Sequence, residues 1–259
     1  MLRIMDKLFD VLSYEQKLLY NTVDRPYYGY GLLRAAELAL HLGHRRISAI
    51  EFGVAGGNGL LSLEGHAKRI KATLDVDVDI YGFDSGQGMP APVDYRDLPY
   101  LWQEGFYAMD QEKLNEKLKT SRLFLGPVEQ TIDHFLAQAS IAPVGFIAFD
   151  LDYYSSTTSA FQIFRARHDL LLPRVVCYFD DIVGDIEHAY NEFTGELRAI
   201  HDFNAAHEDA KLAPVRGLRY WGNRTPELWY EQMFVAHLFR HSDYQQPISA
   251  SQQLPLLVP

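Results

Sequence analysis

Apolar residues run along this chain in two alternating rhythms. Short, nearly unbroken apolar runs occur as ISAIEFG (47–53), DVDIYGFD (77–84), RLFLGP (122–127), VGFIAFDLD (144–152) and RVVCYFDD (174–181), most of them ending in glycine or an acid. Runs of this length without polar alternation suit strands covered on both faces. Between them lie longer stretches in which apolar positions recur every three or four residues. These predict helices over 4–20, 32–43, 59–74, 110–120, 128–139, 155–171 and 185–209, the second closed by Gly43. The aromatic, glycine-bearing stretch 21–31 and the Pro-, Tyr- and Gly-rich stretch 86–109 predict loops. From residue 210 onward the pattern breaks into short strand-like runs with several aromatics.

Strands separated by helices of ten to fifteen residues imply βαβ units. The expected fold is α/β, a mostly parallel central sheet with helices on both faces. An N-terminal helical or lid segment, residues 1–45, precedes a single domain over 46–259. In open sheets of this kind, ligands bind at the carboxyl ends of the strands. The residues there are Glu51 to Gly59, Asp84 and Ser85, Gly126, Asp150 to Asp152, and Asp180 with Asp181. Four of the five strands thus deliver an acid to one edge of the sheet.

Composition narrows the picture. The chain has 259 residues, 47 % of them hydrophobic, enough for one sizeable core. A formal charge of −10 argues against nucleic acid as a partner, because phosphate binding needs a basic field. The single cysteine, Cys177, rules out a disulfide within the chain and a cysteine-based zinc site, and it reads as a buried thiol. No run of 18 apolar residues exists, and the first residues carry acids among their apolar positions. The expectation is a soluble cytoplasmic protein with no membrane partner; a homo-oligomer stays open.

The chemistry starts at AIEFGVAGGNG (49–59), with the spacing Glu51-x-Gly53-x-x-x-Gly57-x-Gly59. Glycines after a strand and before a helix let a ligand approach the main chain. The dinucleotide pattern G-x-G-x-x-G fails from either Gly53 or Gly57, and the Gly-Lys-Ser/Thr of a phosphate loop is absent. An oxidoreductase on the same sheet is therefore a weak rival. A fold that binds without catalysing is a second, against which the cluster of acids argues. Asp84 at the end of the second strand is suited to accept hydroxyl protons from a ribose. Asp150, Asp152, Asp180 and Asp181 would repel one another if packed closely, a conflict a divalent cation removes; oxygen-only ligands suit Mg²⁺. Strand alternation would put Asp150 and Asp152 on one side.

The glycine stretch resembles motif I of class I S-adenosylmethionine-dependent methyltransferases. GFDSGQGMP, LFLGPVEQTI, FDLDYYSST, VVCYFDDI, GELRAIHDFNAAHED and RYWGN are, in order over about 49–222, similar to segments of the macrocin O-methyltransferase (TylF) family. Gly86, Ser155 and Ile182 depart from its pattern at positions bearing on the acceptor. The resemblance implies a Rossmann-like class I methyltransferase fold and methyl transfer from S-adenosylmethionine to a small-molecule hydroxyl, a sugar of a natural product. By position it implies that Glu51, Gly53, Val54, Ala55, Gly57, Asp84, Ser85 and Asp150 meet the cofactor. It likewise implies that Asp152, Asp180 and Asp181 hold magnesium. Asp152 is the preferred proton acceptor, with His188, His201 and His207 as alternatives. Glu129 and Thr131 are expected near the adenine, and the aromatic stretches 25–31 and 94–107 over the ligand.

Overall fold

The computed structural model describes residues 12–138, 140–165, 168–220 and 227–249. Seven strands form one sheet: β1 Arg46–Phe52, β2 Asp77–Asp84, β3 Arg122–Leu125, β4 Val144–Phe149, β5 Leu171–Phe179, β6 Ala210–Pro214 and β7 Met233–Leu238. Their order is β3-β2-β1-β4-β5-β7-β6, with β1 to β5 parallel and β7 antiparallel to both its neighbours. The chain builds outward from β1 to β3, then crosses back to β4 on the other side of β1. Between β1 and β4 the strand order therefore reverses, and a crevice opens there at the carboxyl edge.

The unbroken apolar runs have a simple cause. Side chains alternate across the sheet, and both faces are covered. On one face Ile47, Ala49, Phe146, Ala148, Val176 and Tyr178 pack under helices α1 (Tyr14–Leu19), α2 (Pro26–His41) and α3 (Asn58–Leu74). On the other, Ile50, Phe52, Ile147, Phe149, Cys177 and Phe179 pack under α5 (Val128–Leu136), α6 (Tyr154–Ala160) and α7 (Gly195–Ala206). The short α4 (Gln111–Lys117) precedes β3 and contributes Leu114 to the first core. Cys177 is a buried thiol, as its apolar surroundings predict.

Three predicted elements need correction. Residues 26–31 are helix, not loop: α2 starts at Pro26, which suits a first helical position. The glycines that suggested a loop thin the helix, since a Cβ on Gly31 would overlap the Phe146 ring and one on Gly29 would overlap Leu18. The helix predicted over 185–209 shrinks to α7; residues 185–194 form turns and bends. The helix predicted over 155–171 starts as α6 and passes at Phe161 into a 3₁₀ turn, and Leu171 already belongs to β5. Of the helix predicted over 4–20, α1 is seen, and residues 4–11 lie outside the described residues. So do Trp221, Gly222 and Asn223 of RYWGN. Residues 14–42 of the predicted N-terminal segment pack as α1 and α2 into the same core as the sheet.

Candidate active site

The glycine turn is held by an acid. Beyond β1 the backbone adopts positive φ at Gly53 (+85°), Ala55 (+43°) and Gly57 (+81°). Asp84, at the end of β2, reaches across and pins it: its Oδ2 accepts the N–H groups of Val54 and Ala55, each at 2.9 Å, and Oδ1 accepts Gly86 N–H at 2.7 Å. A carboxylate has roughly four acceptor positions, so about one remains for a ligand. Ser85 beside it donates to Gly88 O at 2.7 Å and shapes the following turn. Gly53 lets the turn press against the Asp150 carbonyl, where a Cβ would overlap.

Gly57 does not have the environment expected of it. It is absent from the cavity lining, and a side chain there would run into Leu114 of α4. Its left-handed φ opens α3, which explains the glycine without a ligand. Gly59, by contrast, leaves room for Glu51, whose Oε1 would overlap a Cβ at that position. Glu51 is 2 % exposed. Its Oε1 accepts the Tyr28 hydroxyl at 2.6 Å, while its buried Oε2 has no hydrogen-bond partner. Burial pushes this carboxyl up to about 7.

The acids after β4 and β5 meet, but not as the expected trio. Carboxylate oxygens of Asp150, Asp180 and Asp181 all lie within 4.8 Å of one another. The Tyr178 hydroxyl donates to Asp180 Oδ1 at 2.5 Å, and the Tyr190 hydroxyl donates to Asp181 Oδ1 at 3.1 Å. Asp152 lies outside this set. Strand alternation does not reach it, because β4 ends at Phe149 and Asp152 itself sits at φ +58°. Its backbone N–H donates to Asp181 Oδ2 at 3.0 Å, and it lines the same cavity. Asp150, expected only to face the cofactor, therefore replaces it among the converging carboxylates.

Burial, reinforced by mutual repulsion, pushes Asp150 and Asp181 well above the usual carboxylate range and Asp152 up to about 7. Oxygens on opposite sides of a bound Mg²⁺ lie about 4.2 Å apart, and of a Ca²⁺ about 4.6–5.2 Å apart. The Asp150–Asp180–Asp181 cluster therefore fits a hard divalent cation in ligand type, spacing and charge.

Glu196 was not singled out from the sequence. It is fully buried in the first turn of α7, where Oε1 accepts Leu151 N–H at 3.4 Å and Oε2 accepts Asp181 N–H at 3.1 Å. One carboxylate thus fixes the turns after β4 and β5 relative to each other. Burial raises its pKa as well.

Glu51, Gly53 to Gly56, Asp84, Asp150, Asp152, Asp180 and Asp181 line one cavity of about 1020 Å³ at the reversal of strand order, with Glu196 bracing it from outside the lining. Its rim is aromatic. Trp102 and Tyr107 come from the irregular stretch 86–109, and His188 and Tyr190 from the turns after β5. The Tyr100 hydroxyl donates to His188 O at 2.8 Å, tying the two rim segments together, and the His188 and Tyr190 rings stack at 5.3 Å. Ser155, one of the departures from the resembled pattern, anchors the rim: its N–H and hydroxyl both donate to buried Asp97 at 2.9 Å. Among the three histidines only His188 lines the cavity; His201 is exposed and His207 stacks on Phe203. Glu129 lines it too, whereas the Thr131 hydroxyl is occupied by the carbonyls of Pro127 and Val128. Arg25, the last residue before α2, lines the cavity and was not assigned from the sequence.

A seven-stranded sheet in this order, with β7 reversed and a glycine turn after β1, is the class I methyltransferase fold, α/β and Rossmann-like. Solved structures similar to this chain include the calicheamicin methyltransferase CalS11, 21 % identical with a TM-score of 0.52 over 80 % of each chain. The O-methyltransferase NovP is 15 % identical with a TM-score of 0.51, covering 82 % of this chain and 79 % of its own. No protein-family profile matches the chain, and no curated protein sequence matches it significantly. Among the described residues no helix is long and apolar enough to cross a membrane.

Proposed function

We propose that this protein is an S-adenosylmethionine-dependent O-methyltransferase acting on a hydroxyl of a small, sugar-like acceptor with the help of a divalent cation. One observation carries the reading: the glycine turn, Glu51, Asp84 and four further acids, contributed by the ends of β1, β2, β4 and β5, line a single cavity. The TylF-type sequence segments and the aromatic rim favour a sugar of a natural product, since flat rings present a face to a pyranose.

The cofactor would be held by the main chain of residues 53–56, by Glu51 and by the remaining acceptor position of Asp84. Once bound, it supplies a methyl group already activated by the sulfonium, so the protein's task is alignment and proton removal. Asp150, Asp180 and Asp181 would hold Mg²⁺, whose Lewis acidity lowers the pKa of a hydroxyl oxygen bound to it. Asp152, buried beside this cluster and lining the same cavity, is suited to take the hydroxyl proton. Trp102, Tyr107 and Tyr190 exclude water from the acceptor side. The test is calorimetric titration with S-adenosylhomocysteine and NAD⁺, followed by an acceptor panel assayed with Mg²⁺ or with chelator. Binding of S-adenosylhomocysteine but not NAD⁺, with Mg²⁺-dependent methylation of a glycoside, is the expected result. Tighter binding of NAD⁺ overturns it.

A further inference from the structure

Two segments wall the acceptor side of the cavity, and neither has a strand or an α-helix of its own to hold it there. Residues 183–193 leave the second core at Ile182 and run as turns and bends, and residues 99–107 are likewise turns. Apart from local turn bonds, two hydrogen bonds tie 183–193 to the rest of the described residues. The Tyr190 hydroxyl donates to Asp181 Oδ1 at 3.1 Å, and His188 O accepts the Tyr100 hydroxyl at 2.8 Å. Ring contacts continue the line. Tyr190 stacks on His188 at 5.3 Å, His188 faces Trp102 at 6.3 Å, and Trp102 meets Tyr107 at 6.0 Å. An unbroken path therefore runs from one carboxylate of the acidic cluster to both walls.

The first step of that path is closely packed. Gly184 makes room for the stack: a Cβ there would lie 3.1 Å from Tyr190 Cε2 and 3.3 Å from His188 Nδ1. Ala189, between the two rings, has φ +51°, a left-handed conformation that persists only where its surroundings hold it. Tyr178 also donates to the cluster, at Asp180, but it is buried in the first core, which already fixes it. Tyr190 belongs to neither core, so its place depends on Asp181. Asp181 in turn depends on what lies between the acids. Carboxylate oxygens of Asp150, Asp180 and Asp181 lie within 4.8 Å of one another, close enough to repel. A cation among them turns repulsion into attraction and fixes Asp181, and the bond it accepts from Tyr190 is then charge-assisted.

We infer that Tyr190 is a positioning residue that couples the cation to the acceptor: an ion held by Asp150, Asp180 and Asp181 sets both walls of the acceptor side through Tyr190, and through Tyr100 beyond it. The inference rests on the cation reading above. It implies that the ion enters before the acceptor, because the aromatic walls are complete only once the ion is in place.

The test reads the walls directly rather than turnover. Hydrogen–deuterium exchange of the full-length protein, with S-adenosylhomocysteine present, is followed at 99–107 and 183–193 with and without Mg²⁺, alongside the calorimetric Kd for Mg²⁺. In the wild type Mg²⁺ should slow exchange in both segments by about fivefold or more. Tyr190→Phe keeps the ring and its stack and loses only the hydroxyl. It should bind Mg²⁺ within about threefold of the wild type, since it removes a hydrogen bond and no ligand atom, and should lose the slowing in both segments. Tyr100→Phe should lose it at 99–107 alone. Wild-type binding of Mg²⁺ without any change in exchange overturns the inference, and so does slowing that persists in Tyr190→Phe. Failure of the wild type to bind Mg²⁺ overturns the cation reading itself, and the inference with it.

Discussion

In the proposed mechanism Asp152 takes the proton and the Asp150–Asp180–Asp181 cluster holds the cation. Asp152 stands beside that cluster but does not converge with it. Asp152→Asn keeps shape and removes the acceptor of the proton, so kcat should fall about 10²–10⁴-fold, the usual contribution of a general base. The Kd for S-adenosylhomocysteine and the Mg²⁺ concentration at half-maximal effect should both stay within about threefold. A large shift in the Mg²⁺ dependence would return Asp152 to the ligand set. Gly57 makes the opposite point. Gly57→Val forces a β-branched residue into φ +81° and against Leu114, so it should cost at least 1–2 kcal/mol of stability, read as a lower urea midpoint. The folded fraction should still bind S-adenosylhomocysteine, because the residue does not face the cavity.

At the scale of elements, α1, α2 and α3 are latched by one histidine. His66 of α3 is 1 % exposed; its Nδ1 bonds the Tyr14 hydroxyl of α1 at 2.9 Å, and its Nε2 bonds Asp24 O at 2.9 Å just ahead of α2. Burial first, and then the Arg69 guanidinium, depress its pKa from 6.5 to about 4, although the Asp24 and Arg25 carbonyls and the Asp24 carboxylate oppose this. The sign follows. Above pH 6.5 the ring is neutral in both folded and unfolded chains. Between 6.5 and 4 only the unfolded chain takes up the proton, so stability falls by up to roughly 3 kcal/mol. His66→Gln should remove this component: the wild type's advantage over the variant, measured by urea unfolding, shrinks as pH drops from 7 to 4. A difference that stays constant over that range would mean the ring is not held neutral.

Across the whole molecule, the buried acids at the carboxyl edge are a standing cost. Asp150, Asp152, Asp181 and Glu196 all have raised folded pKa values, chiefly from burial. Groups shifted this way favour the fold below their unfolded pKa, and that contribution is lost as pH rises through the folded value. A cation bound to Asp150, Asp180 and Asp181 offsets the repulsion and binds the folded chain selectively. Millimolar Mg²⁺ should therefore raise Tm, more at pH 8 than at pH 6, and Asp181→Asn should lose most of the response. If Tm is unchanged by Mg²⁺ and by Ca²⁺ at pH 8, with S-adenosylhomocysteine present, the cation site is wrong.

The alternation of short apolar runs with helical spacing determined the parallel sheet, its five parallel strands and the edge where the acids gather. Those properties depend on short unbroken apolar runs and on a period of 3.6 residues, both of which a stretch of sequence carries locally. The turn Glu51–Gly59 was legible for the same reason: glycines after a strand restrict the local backbone to few shapes. What only the tertiary structure decided begins where that periodicity ends. Asp152 stands outside the converging trio although it touches Asp181, because it sits past the end of β4 at a positive φ, where no alternation rule applies. Gly29 and Gly31 read locally as a loop, yet they let α2 approach Leu18 and Phe146 on other elements. Glu196 and Arg25, lying 45 residues from Leu151 and 26 from Glu51, enter the site only through packing. A side chain's partner across the fold is set by which surfaces the two cores bring together, and no local period encodes that.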